Sequence, residues 1–248
     1  MMERSKGLTG STLKVIAVVT MLIDHIAATL MTRMYLTGGL SFGFYNVIMG
    51  MRIVGRVAFP IYCFLLVEGF IRTRDVRKYL LRMVAFALIS EIPYDLALTG
   101  KVINFHYQNV MFTMTIGLIS LYCLKIIGEK ALDKWKLLLL QSVVITLAAA
   151  LATLCQTDYG WSGILCICAI YLFQASNARK MLMGNAALIL ASALEAAALV
   201  TVPLIAAYNG ERGWKIKYFF YAFYPVHFLI LYIISAFMGM GGINTLQY

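Results

Sequence analysis

Apolar runs close to twenty residues long recur along the chain, and short polar stretches between them collect most of the charge. A helix crossing a hydrocarbon core of roughly 30 Å needs about 20 apolar residues. On that length the pattern predicts about eight spans, near 13–32, 57–71, 79–98, 109–127, 137–154, 161–173, 183–207 and 218–237. The second and sixth are short, and the second can start near Tyr45 with 49–56 as an interfacial or broken stretch. Pro60, Pro93, Pro203 and Pro225 all fall inside these runs, where a proline frees a carbonyl and kinks a helix. No internal repeat is evident, which argues against an inverted-repeat transporter. The expected fold is all-α, a polytopic transmembrane helix bundle, folded as one domain over 1–248.

Composition sharpens this. The chain is 62% hydrophobic and 13% charged, whereas a soluble domain is about 25% charged, so no stretch is polar enough to form a separate soluble unit. The formal net charge is +10. In a soluble protein that would suggest nucleic acid, but no basic stripe interleaved with aromatics lies in a polar domain, so nucleic acid is excluded as a partner. The Lys and Arg residues set topology and meet lipid headgroups instead. Basic residues cluster at the N-terminus, at 72–82, at 125–136 and at 179–180, and are sparse in the alternate loops. The positive-inside rule then puts both termini in the cytoplasm of a bacterial inner-membrane protein. Arg212, Lys215 and Lys217 are the exception, since they fall outside on this count.

Within the first span stand Asp24 and His25. An ionisable group at membrane depth costs a few kcal/mol or more and tends to mark a site or pathway. His25 is the candidate base, because imidazole titrates near neutrality. Adjacent residues on a helix point about 100° apart, so Asp24 is a poor orienter for His25. A carboxylate from the third span, Glu91 or Asp95, is expected to hold the imidazole, with Asp24 paired to Arg52 or Arg56. His227, after the Tyr224-Pro225 kink, is a second candidate, with a plain interhelical hydrogen bond as its alternative. His106 reads as an interfacial loop residue. The three histidines share no helical i, i+3 or i, i+4 spacing with one another or with an acid, so no metal site is expected. The five cysteines read as packing residues. No Gly-x-Ser-x-Gly elbow, Walker motif or dinucleotide fingerprint occurs.

Arg72, Arg74, Arg77, Lys78 and Arg82 form a dense basic loop. Its plain role is topology and lipid contact; its functional reading is an anion-binding mouth for a phosphate-bearing substrate.

Several blocks run through the chain in one order: Met21-x-Ile23-Asp24-His25, Arg56-x-Ala58-Phe59-Pro60, Ser90-Glu91-Ile92-Pro93-Tyr94-Asp95, Asn109-Val110-x-Phe112-Thr113, Asp158-Tyr159-Gly160, Tyr208-Asn209-Gly210-x-Arg212-Gly213 and Tyr224-Pro225-x-His227. These resemble the TraX family of membrane proteins, whose named member is a pilin N-acetylase and which is similar to broader transmembrane acyltransferases. The resemblance implies a membrane acetyltransferase with acetyl-CoA as co-substrate and an intramembrane histidine, here His25. Under it, Asp24, Glu91, Asp95 and His227 join the catalytic set. Arg52, Arg56, Arg72, Arg74, Arg77, Lys78, Arg82, Asn109 and Tyr224 become donor-side contacts, with Arg56, Asn109 or Tyr224 stabilising an oxyanion. Membrane lipid is a partner, the acceptor is a protein N-terminus, a glycan or a small amine, and a homo-oligomer is compatible with the bundle. Two rival readings stand beside it: a proton-coupled transporter using the same carboxylates as a relay, and a non-catalytic envelope assembly factor.

Overall fold

The computed structural model describes residues 7–39, 41–173, 175–214 and 217–246, with the side chains of Lys217 and Tyr218 left out. Every regular element among these residues is helical. Helix α1 (Gly10–Ile26) starts at Thr9, whose hydroxyl accepts the Thr12 N–H at 3.3 Å. It passes through one π turn, Ala27–Met31, into α2 (Thr32–Gly38). The three pieces form one apolar helix of 29 residues. A π turn inside a longer helix widens the backbone and is often found at functional sites; this one follows His25 directly.

Helices α3 (Phe42–Gly55) and α4 (Ala58–Arg72) form a second long rod broken at Arg56–Val57. Pro60 explains the break. It has no N–H to give the Arg56 carbonyl, and it sits in the first turn of α4, where that loss costs nothing. Helix α5 (Val76–Thr99) is capped by Asp75, which accepts the Lys78 N–H at 3.0 Å, and stops at Gly100 with φ of 72°. The remaining elements are α6 (Val110–Gly128), α7 (Lys134–Leu154), α8 (Gly160–Leu172), α9 (Asn177–Ile189), a 3-10 helix (Ala193–Val200), α10 (Thr201–Ala206) and α11 (Lys217–Phe237).

Five segments are long and apolar enough to cross a membrane: Gly10–Gly38, Phe42–Arg72, Val110–Gly128, Lys134–Leu154 and Phe219–Phe237. The expected count of about eight is not reached by that measure. Helix α5 has the length, but Arg82, Glu91 and Asp95 dilute its apolar character. Helix α8 is short. The predicted span 183–207 is not one helix. It breaks at Ala191–Ser192, where Ser192 turns extended and its hydroxyl caps the 3-10 helix. The chain then runs back along itself. The Asn185 amide ties the arms together, donating to the Ala198 carbonyl and the Thr201 hydroxyl, both at 3.0 Å.

This hairpin changes the topology. Leu8 donates to the Ala207 carbonyl at 2.8 Å, Asn209 donates to Leu8 at 3.0 Å, and Arg72 donates to the Gly210 carbonyl at 2.6 Å. The N-terminal segment, the α4–α5 loop and the 207–214 loop therefore share one end of the bundle. At the other end Thr245 donates to Leu98 at 2.8 Å and Arg33 donates to Ile243 at 3.0 Å. The two described chain ends thus lie at opposite ends of the bundle, whereas the expected path placed both termini on one side. The physical reason is that 183–207 enters and returns, so it adds no crossing and the parity changes. Arg212 then falls with the other basic residues. Of the described Lys and Arg, all but Arg33, Arg52, Arg56 and Lys101 lie toward this basic end.

The core joins α1, α4, α6, α8 and α9 through fully buried Leu13, Ile61, Phe64, Leu118, Ile167 and Met181. Helix α7 buries only Ala152 within the protein, which leaves its apolar surface to lipid.

Candidate functional site

One cavity of about 1060 Å³ runs the length of the bundle, from Arg72 and Arg212 at the basic end to Leu98 and Thr245 at the far end. Pockets of about 300–1,000 Å³ hold one drug-sized ligand, so this space has room for a large ligand or for two. Its basic end is lined by Lys14, Arg72, Arg82 and Arg212 against one carboxylate, Glu68. Glu68 pairs with Arg72 at 2.6 Å, Arg72 lies over the Tyr208 ring at 6.0 Å, and Lys14 lies over the Phe220 ring at 5.5 Å. Glu68, the Gly210 carbonyl and the Tyr208 ring together fix the Arg72 guanidinium at this end of the cavity.

His25 lines the middle of this cavity, and His227 stands behind it on α11. His25 Nδ1 and His227 Nε2 are 2.7 Å apart, and His227 Nδ1 lies 2.8 Å from the Phe223 carbonyl. A carbonyl only accepts, so His227 Nδ1 carries a proton. In the neutral ring Nε2 is then an acceptor, and His25 Nδ1 must be its donor. That leaves the His25 Nε2 lone pair without a hydrogen bond among the described residues. Phe228 stacks on His25 with centroids 4.4 Å apart, and Tyr224 meets it edge-on at 6.4 Å. These contacts fix the ring plane.

A charged cluster lies beside His25. Asp24 binds Arg52 at 3.0 Å and Arg56 at 3.1 Å, and Arg56 also binds Glu195 at 3.1 Å. Gly55 is required here, because a Cβ at that position would run into the Asp24 carboxylate. The Arg56 guanidinium is thus fixed by two acids from two elements, whereas the Arg52 side chain keeps 34% of its surface open. The α3–α4 break, the π turn and the Ser192 reversal all border this cluster. Each supplies the backbone irregularity that lets a polar side chain turn inward at membrane depth.

The chain matches the family described as TraX protein over residues 9–235. This chain belongs to the TraX family. It is 27% identical over 256 residues to the probable fimbrial assembly protein FimC, serogroup H1, of Dichelobacter nodosus, covering 93% of this chain and 97% of that one. No solved structure matches the chain.

The expected site residues of this TraX protein divide into three groups. His25, Asp24, Arg52, Arg56, Arg72, Arg82 and Tyr224 line the cavity. Asp24 pairs with both arginines, as its helical angle from His25 implied. Arg74, Arg77 and Lys78 do not line it, and Lys78 pairs with Asp75 at 3.5 Å. The third group corrects the expected orienter. Glu91 accepts from Asn109, through its backbone N–H at 3.2 Å and its side-chain amide, and Asp95 accepts from the Asn104 N–H at 2.6 Å. Both acids fold the 100–109 loop inward instead of holding His25. Asn109 is committed as well, since its amide also donates to Ala87 and its carbonyl oxygen caps α6, so it is not free to stabilise an oxyanion. His106 is exposed and stays in the loop. The hydrogen-bond partner of His25 is His227 instead. Sequence reasoning missed the cavity-lining roles of Arg212 and Asp158 and the ion pair of Glu195. Arg212 and Glu195 were hidden by the unbroken helix drawn over 183–207, which separated the 207–214 loop from the N-terminal end and kept Glu195 away from Arg56.

Proposed function

We propose that this TraX protein is a membrane-embedded acetyltransferase, moving an acetyl group from acetyl-CoA to an amine or hydroxyl acceptor. One observation carries the reading: a single cavity joins a cationic end to an imidazole that lines it and whose Nε2 carries no hydrogen bond among the described residues. Under the positive-inside rule the basic end is cytosolic, the side that holds acetyl-CoA. Lys14, Arg72, Arg82 and Arg212 then bind the donor's phosphates, and its thioester reaches up toward His25. Nε2 removes the acceptor proton. The developing imidazolium is supported through Nδ1–H to His227 and on to the Phe223 carbonyl. Arg52, with its open face, and Tyr224 line the cavity with His25 and are the donors assigned to the thioester oxygen.

The Dichelobacter nodosus relative is named as a probable fimbrial assembly protein. Carried to this chain, it favours a component of a surface filament as acceptor, and it also favours the second reading, a non-catalytic assembly factor. The test separates the two. Purified protein in lipid nanodiscs is incubated with radiolabelled acetyl-CoA and envelope fractions. Replacing His25 by Ala is expected to lower label transfer by about a hundredfold or more, with acetyl-CoA affinity and thermal stability close to wild type. Wild-type transfer by His25→Ala, or no transfer by the parent protein, overturns the enzymatic reading.

A further inference from the structure

The two halves of the cavity differ. Its basic end is lined by Lys14, Arg72, Arg82 and Arg212. Past His25 and Arg52 the lining turns to Tyr35, Tyr45, Met49, Leu98, Thr245 and Leu246, with no charged side chain among the described residues. That half offers nothing to a phosphate-bearing donor, so a second reactant needs a way in of its own. The far end is covered by residues 239–246, a strap of turns and irregular backbone that follows α11.

The strap docks on the last turn of α5. A helix leaves its last four carbonyls without intrahelical partners. Leu98 accepts both the Thr245 N–H at 2.8 Å and the Thr245 hydroxyl at 3.1 Å, and Leu96 accepts from Arg33 at 3.3 Å. Arg33 also donates its Nε–H to Ile243 at 3.0 Å, and the Thr37 hydroxyl lies 3.4 Å from the Met240 sulfur. Gly100 permits the close approach, because a Cβ there would run into the Gly241 carbonyl. Two features make the closed strap a state that the protein can leave. Gly239, with φ of 74°, joins it to the end of α11 as a hinge. The closed strap also buries Arg33 completely, with no ion pair among the described residues and with Nη1 unbonded. An unneutralised guanidinium held out of water carries a desolvation cost, and hydration relieves it once Ile243 lifts away.

We propose that residues 239–246 are a gate, which opens the cavity on the face opposite the basic end and admits the acceptor there. The inference rests on reading the cavity as the site of transfer: the donor enters among the cations, the acceptor passes the strap, and the two meet at His25. In the closed state Arg33 latches Ile243 and Thr245 seals against Leu98. In the open state the strap swings about Gly239 and Arg33 faces water.

The first measurement needs no acceptor. In a Cys155→Ser background, Met49→Cys places a thiol on the cavity wall past Arg52. A charged, membrane-impermeant methanethiosulfonate reagent is added to sealed vesicles from the face opposite the basic end. With the wild-type strap, labelling is expected to run about tenfold or more below that of Phe105→Cys, a position 83% exposed in the 100–109 loop. Gly100→Ala, which wedges the Gly241 carbonyl away, should raise labelling of Met49→Cys by about tenfold. Gly39→Ala is the control for backbone strain, with φ of 56° and nothing within 4 Å among the described residues, and should leave labelling unchanged. Met49→Cys labelled as fast as Phe105→Cys behind a wild-type strap, or Gly100→Ala behaving as Gly39→Ala does, overturns the gate. The second measurement cross-links Thr37→Cys to Met240→Cys with a short bifunctional thiol reagent. Transfer of radiolabelled acetyl groups to envelope fractions should be lost, with acetyl-CoA affinity unchanged; full transfer by the cross-linked protein also overturns the gate. If the parent protein transfers nothing yet labelling of Met49→Cys follows the Gly100 substitution, the transferase reading falls and the gate stands.

Discussion

In the His25–His227 pair the Phe223 carbonyl decides where the protons sit. Because Phe223 and His227 are one turn apart on α11, the bond at 2.8 Å is as rigid as the helix. His227 therefore acts on His25 as a positioning residue. With His227→Ala, His25 loses its acceptor and its proton redistributes between the two ring nitrogens. The expected outcome is a fall in kcat of about tenfold or more, unchanged acetyl-CoA affinity, and a mixed tautomer signature for His25 by ¹⁵N NMR. If kcat and the tautomer both stay as in wild type, His227 is a packing residue only.

At the scale of elements, Arg56 holds three pieces of chain together: α1 through Asp24, the α3–α4 break through its own backbone, and the 3-10 helix through Glu195. The cluster works because every charge in it has a partner. Arg56→Gln leaves the mostly buried Glu195 carboxylate unpaired, a loss of about 3–5 kcal/mol. Thermal unfolding in detergent should show a large drop in midpoint, with Arg56→Gln/Glu195→Gln recovering much of it. A double variant as unstable as the sum of the singles would mean that the pair does not couple.

For the whole molecule, the hairpin over 183–207 is the decisive feature. It sends the 207–214 loop to the N-terminal side and the C-terminal segment to the other. In a Cys155→Ser background, Glu211→Cys and Asn244→Cys are expected to react with a membrane-impermeant maleimide from opposite faces of sealed vesicles. Labelling of both from one face would restore the simple eight-span path.

The TraX sequence by itself determined the membrane class, the all-helical fold and the Asp24–arginine pairing. These follow from run length, from the cost of a charge in lipid and from the angle between neighbouring helical residues, all of which are local. Only the tertiary structure decided the partner of His25, the fate of Glu91 and Asp95, the side on which Arg212 lies and the opening of Asp158 into the cavity. His25 and His227 are 202 positions apart, and depth along a helix says nothing of which way a side chain turns around it. Two acids at suitable depth were as good a match for the base as a histidine, until α11 was seen to pack against α1 and the 100–109 loop to claim both acids. The hairpin was hidden for a related reason. Ala191 and Ser192 interrupt an apolar run without a proline, glycine or charge, so hydropathy reads straight through a turn that Ser192 and Asn185 make by hydrogen bonding alone.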